Sequence, residues 1–164
     1  MKHNEIVEKV CDWFKYNLHN YEIKKEVPYK INLPKTGLNK QFFRVDIVVT
    51  NKNINQKIGV ECKTLRDSSS FRKLMAGIGQ AYILQRVFGL SYLAIEVEPD
   101  MLQNKNPFEF YKRVTLLPNV HQELGIGILL VQNNVILVEE AKFVEPFAKT
   151  LFINLKEKRC HEGS

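Results

Sequence analysis

The chain reads as an α/β domain in which helices flank a mixed β-sheet, and three observations predict it. Apolar residues recur at helical spacing twice, as Val7, Val10, Cys11, Phe14 and Leu18, and again as Leu74, Ile78, Ala81 and Leu84 or Gln85. Between and after these stretches lie short runs rich in Val, Ile, Tyr and Phe with strand-like alternation. One run precedes the second helical stretch and another follows it, a strand–helix–strand crossover that makes those two strands parallel neighbours.

In order, residues 4–18 form an amphipathic helix with Asn4 as a candidate N-cap. Residues 21–31 form a strand, followed by a polar connection over 32–40 that carries Pro34 and Gly37. Residues 44–49 and 58–63 are two strands joined by an Asn-rich turn at 51–56. A polar loop over 64–70 supplies serines to cap a helix over 71–88, which Gly89 ends as a C′ glycine. A buried strand over 91–98 comes next. Pro107 opens a shorter helix through about residue 116, a second hairpin pairs 125–131 with 135–140, and 146–156 is expected as a terminal helix. This is one domain over 1–164, with a core of about 4–98 and a C-terminal extension of about 105–158.

The first hairpin carries the chemistry. Val45, Ile47 and Val49 point one way from its first strand, and Ile58, Val60 and Cys62 one way from its second, leaving Arg44, Asp46, Glu61 and Lys63 on the opposite face. With Thr50 opposite Lys57, counting along both strands sets Asp46 opposite Glu61. Like charges so placed, with Cβ atoms roughly 4.5–5.5 Å apart, are destabilising unless something positive lies between them. A one-residue slip would turn one strand's apolar set to the polar face, so burial favours this pairing. Paired carboxylates with an open outer side suit Mg²⁺, a hard cation held by one or two carboxylates and its own waters. Lys63 lies on the same face within ~7 Å of Glu61 along the strand. Glu-x-Lys also occurs at Glu22/Lys24 and Glu140/Lys142, where a solvated strand edge is the plain reading. Only the middle copy follows a strand with an acid in register; the last would face Ile126.

Composition excludes several classes. With 164 residues, 45% of them hydrophobic, the chain can bury a full core, and no tract is repetitive. No apolar N-terminal leader or membrane-length run is present in the sequence, so an intracellular, cytoplasmic protein is expected. Cys11, Cys62 and Cys160 are odd in number and widely spaced, which suggests neither a disulfide framework nor a zinc site, and reduced thiols are expected. The four histidines show no metal spacing and read as surface or packing residues. The net charge of +6 is uneven: residues 21–75 hold twelve Lys/Arg against five Asp/Glu. A basic surface around a carboxylate site attracts polyanions.

The order helix, strands bearing Asp46 and Glu61-Cys62-Lys63, helix, strand resembles the PD-(D/E)XK nuclease superfamily, the restriction-endonuclease-like fold, over about residues 5–98. Gly79-Gln80-Ala81-Tyr82 is similar to the glutamine motif of its RecB-like branch, although Tyr82 follows Gln80 by two positions where that pattern has four. Val45 stands where the family name has proline. The resemblance implies a three-layer core with a central mixed sheet, here followed by a C-terminal hairpin and helix. It implies metal-dependent phosphodiester hydrolysis, with Mg²⁺ or Mn²⁺ on Asp46 and Glu61, Lys63 positioning water or stabilising charge, and Gln80 orienting phosphate or base. Many members add a first-helix glutamate, for which Glu5 and Glu8 are candidates, with Glu26 a third. Glu8 is favoured because its distance to the first strand resembles that in archaeal Holliday junction resolvases. Arg66, Arg72 and Lys73 are candidate phosphate contacts. DNA is the expected substrate, with RNA left open and a homodimer expected from relatives that cut two strands. The competing readings are a non-catalytic nucleic-acid-binding or subunit-interaction module on the same fold, and a small-molecule-binding α/β domain. The charge surplus and the absence of a phosphate-cradling loop disfavour the latter.

Overall fold

The computed structural model describes residues 2–33, 36, 41–65, 70–97, 116–155 and 158–159. The elements are α1 (His3–Asn17), β1 (Tyr21–Ile31), β2 (Phe42–Asn51), β3 (Lys57–Leu65), α2 (Ser70–Phe88), β4 (Gly89–Val97), α3 (Leu116–Leu124), β5 (Gly127–Val131), β6 (Val135–Glu139), β7 (Phe152–Asn154) and β8 (Lys158–Arg159). One mixed sheet runs β6-β5-β4-β3-β2-β1-β7, with β8 also paired to β1. β3, β4 and β5 are mutually parallel and the remaining pairings antiparallel. The crossover through α2 therefore has the expected sense.

Alternation along the central strands divides the core into two layers, one on each side of the sheet. Ile6, Val10, Cys11 and Phe14 of α1 pack with Ile47, Val49, Val60, Cys62, Ala94 and Leu129. Leu74 and Ala81 of α2 and Val120 of α3 share the other layer with Leu93, Ile95, Ile128 and Leu130. Covered on both faces, β5 is buried throughout, and its sequence is an unbroken apolar run. The arrangement is a three-layer α/β fold with a restriction-endonuclease-like plan.

Several local expectations change. Lys2, in extended conformation, is the N-cap of α1, and Asn4 lies inside the first turn. Val45 shares a cluster with Val27, Tyr29, Val48 and Leu84, not with the α1 layer. At the same level Glu26, at φ 51°, is left out of the β1–β2 ladder between the pairs Lys25↔Ile47 and Val27↔Val45, which keep one register. Cys62 is a free, buried thiol, and Cys11 is buried in the α1 layer. The helix expected over 107–116 falls almost wholly outside the described residues. The helix that follows it, α3, has Pro118 in its first turn, where no backbone N–H is needed, and ends at Gly125 with φ 77°.

The expected terminal helix over 146–156 is absent from its described part, where a turn leads into β7. Long-range packing overrides its helical pattern. Phe152 stacks with Tyr29 and Phe43 at ring distances of 5.3 and 5.4 Å, and β7 satisfies the outer edge of β1. Ala148 N–H donates to the Arg86 carbonyl at 2.9 Å and Asn32 N–H to that of Leu151 at 2.7 Å, fixing the segment at both ends.

Candidate active site at the mouth between β2 and β3

The register places Thr50 opposite Lys57 and ends at Ile47 opposite Val60, one step short of Asp46 and Glu61. There the strands part. Asp46 Oδ2 accepts the backbone N–H of Cys62 at 2.8 Å, so a carboxylate takes over the ladder's next hydrogen bond. This ties Asp46 to the residue beside Glu61 and holds the two acids at one mouth.

Glu61 is 4% exposed. Its Oε1 lies 3.4 Å from Lys63 Nζ, and its Oε2 is buried without a hydrogen-bond partner. Burial, then the charge of Asp46, pushes its carboxyl up to about 8, against the opposing pull of Lys63 and His3. Burial likewise raises the neighbouring Cys62 thiol, which stays protonated and inert.

Sequence reasoning missed His3. Its Nε2 stands 3.1 Å from Asp46 Oδ1, and that hydrogen bond raises the imidazole above its ordinary value. The signal was weak: a half-exposed histidine, one residue before the expected helix start, gives no sign of which strand end the helix reaches.

Helix α2 supplies the roof. A Cβ added at Gly77 would lie 2.9 Å from Lys63 Cγ, and one added at Gly59 would lie 2.9 Å from Leu84 Cβ. Gly77 thus admits the lysine stem while Gly59 admits the helix. Between these points α2 runs antiparallel to β3, and the Ala81 carbonyl accepts the hydroxyl of Ser91, the register partner of Gly59, at 2.8 Å. Gln80 Oε1 is a second buried acceptor with no hydrogen-bond partner. Gly79 meets nothing within 4 Å, so close packing explains Gly77 alone.

Of the remaining candidates, Glu26 stands across from Asp46, between the pairs Lys25↔Ile47 and Val27↔Val45. Glu8 is ion-paired with Lys25 of β1 and is not among the charges acting on Glu61. Glu5 and Glu26 are exposed. Arg72 is exposed and Lys73 half-buried on the first turn of α2, while Arg66 lies outside the described residues. No helix among the described residues is long and apolar enough to cross a membrane.

A divalent ion fits the donor set. Two like-charged carboxylates, one of them with an unpartnered buried oxygen, are hard donors whose mutual repulsion a dication offsets. No group of three or more His, Cys, Asp or Glu among the described residues is arranged to hold a metal, so the fit is to an ion that keeps several waters.

No protein-family model and no curated protein matches the sequence. Among solved structures, the chain is similar to a fdxN element excision controlling factor protein from Anabaena variabilis, with a TM-score of 0.52 and 15% identity, covering 85% of this chain and 98% of that one. An XisH family protein from Nostoc punctiforme aligns with a TM-score of 0.49 and 15% identity over 80% of this chain and 96% of that one. The first likeness establishes a shared fold along nearly the whole of that protein.

Proposed function

We propose that the chain is a metal-dependent nuclease of the PD-(D/E)XK type, hydrolysing phosphodiester bonds in DNA. One observation carries the reading: a buried glutamate with an unpartnered oxygen, beside a second carboxylate and an ammonium group, at one strand mouth. Asp46 and Glu61 would hold Mg²⁺ or Mn²⁺, which when bound supplies Lewis acidity at the phosphate and a more acidic water. Lys63 orients water and stabilises charge gathering on the phosphate oxygens, a positioning and electrostatic role. Gln80 has a free acceptor to orient a water, and Arg72 and Lys73 steer the backbone towards the mouth. In the reaction a water oxygen bonds to phosphorus, the opposite P–O bond breaks, and the departing oxygen gains a proton.

A second reading, a non-catalytic nucleic-acid-binding or subunit-interaction module, draws on the engagement of the acids. Both Asp46 oxygens have protein partners, His3 and the Cys62 N–H, and Glu8 is held by Lys25. One assay separates the two. Linear, circular, single-stranded and four-way-junction DNA are incubated with Mg²⁺, with Mn²⁺ or with chelator, using wild type, Asp46→Asn and Lys63→Ala. Chelator-sensitive cutting lost in both variants is expected; salt-sensitive binding without cutting by wild type would establish the second reading.

A further inference from the structure

At the other end of β3, about 13 Å from Glu61 at strand rise, lies a cavity of about 610 Å³ that the site above does not use. Its size is that of a small-ligand pocket. The floor is aromatic: Tyr29, Phe88 and Phe152 meet with ring centroids 5.3 to 6.3 Å apart. Two further apolar side chains line it yet remain open to solvent, Ile54 at 66% and Phe143 at 55% exposure.

Both of these sit on rigid backbone. The turn bearing Ile54 is closed by Asn51 N–H to the Gln56 carbonyl at 2.7 Å, Asn55 N–H to the Asn51 carbonyl at 3.0 Å, and Asn53 N–H to Asn51 Oδ1 at 2.9 Å. Phe143 packs on Gly89, where an added Cβ would stand 2.8 Å from its ring, and Val144 N–H donates to the Gly89 carbonyl at 2.9 Å. Gly89 also has φ 94°, so no side chain belongs there. The walls are preformed, and they display apolar surface that folding leaves uncovered.

The polar lining narrows the ligand. Asn55, Gln56 and Asn154 present carboxamides, which both donate and accept as the edge of a nucleobase requires. Lys57 and Lys149 against Glu145 leave a single positive charge, which suits one phosphate and not a triphosphate. Aromatic rings stack on any base.

From this combination we infer that the cavity binds a nucleobase with its adjoining phosphate, as a free mononucleotide or within a single strand. The inference does not rest on the nuclease reading, because the cavity shares no side chain with Asp46, Glu61 or Lys63.

The test is calorimetric titration of the full chain, with chelator present, using AMP, CMP, GMP and UMP, and separately a short single-stranded oligonucleotide. Saturable binding is expected. Phe143→Ala and Lys149→Ala, both at exposed positions, should each weaken it about tenfold at unchanged melting temperature. Asp46→Asn should bind as wild type, which separates this pocket from the carboxylate mouth. Mononucleotide binding identifies a free nucleotide as the ligand, and binding of the oligonucleotide alone, sensitive to Phe143→Ala, identifies a strand. No binding of any probe at millimolar concentration, or binding indifferent to both substitutions, overturns the inference.

Discussion

Glu61→Gln should make the metal-free protein more stable at alkaline pH, against the usual cost of altering a buried residue. The glutamine keeps the shape and an acceptor for Lys63 but removes the ionisable oxygen that lies buried without a partner. Burial and Asp46 raise the folded-state carboxyl from 4.5 to about 8. Between those limits the folded protein holds a proton that the unfolded chain has released, so stability falls as pH rises. At about 1.4 kcal/mol per pH unit, ionisation withdraws up to about 5 kcal/mol by pH 8. For a chain of this size that corresponds to a melting-temperature difference of roughly 10–20 °C. His3, also raised, acts in the same sense: its contribution is present below 6.5 and is lost as pH passes its folded-state value. Urea or thermal unfolding of wild type, Glu61→Gln and Glu61→Gln/His3→Ala from pH 5 to 9 in chelator separates the two. The single variant should keep only a shallow slope, and the double variant a shallower one. A Glu61→Gln curve parallel to wild type would refute the assignment of the titration to this carboxyl.

Other outcomes follow from the same geometry. Added Mg²⁺ or Mn²⁺ should raise the wild-type melting temperature at pH 8, by about 2.7 kcal/mol of stability at a hundredfold excess over Kd, and should leave Asp46→Asn unmoved, as scanning fluorimetry would report. Gly77→Ala should destabilise by about 1–3 kcal/mol because its methyl group meets Lys63 Cγ and Leu93, while Gly79→Ala, facing open space, should gain about 0.5–1 kcal/mol; chemical denaturation reads both. Phe152→Ala should cost about 3 kcal/mol by releasing β7 from the Tyr29, Phe43 and Phe88 rings, measured as a shift of the urea midpoint. DNA affinity should fall steeply between 50 and 200 mM salt in filter binding, and a flat response would remove the basic surface from the proposal.

The parts of this fold written in local pattern were legible. Helical spacing located α1 and α2, alternation located β1 to β3, and burial set the register from Thr50↔Lys57 to Ile47↔Val60 because a slip of one residue exposes an apolar row. What failed depended on distant partners. The 146–156 segment has the composition of a helix, yet Phe152 is worth more in an aromatic cluster assembled from β1, β2 and α2. Neither the break at Glu26, a backbone event with no side-chain signature, nor the facing of Val45 could be read. At the candidate site the strand register reaches Ile47 and Val60, and beyond it the Cys62 N–H donates to Asp46 Oδ2 where a ladder bond was expected. The contribution of His3 depends on where α1 crosses the sheet, and the close approach of α2 on two glycine contacts, neither of which spacing encodes.

The strand β7 carries a consequence for the order of assembly. Asn32 and Thr150, joined by a side-chain hydrogen bond at the start of that seam, are 118 positions apart. The outer edge of β1 is therefore made early on the ribosome and remains an open template until β7 and β8 have emerged. Nascent chains crowded on one message could pair with each other through that edge, and β7 and β8 serve as an intramolecular competitor that arrives late. A chain cut before Phe147 should keep its central sheet and self-associate through β1.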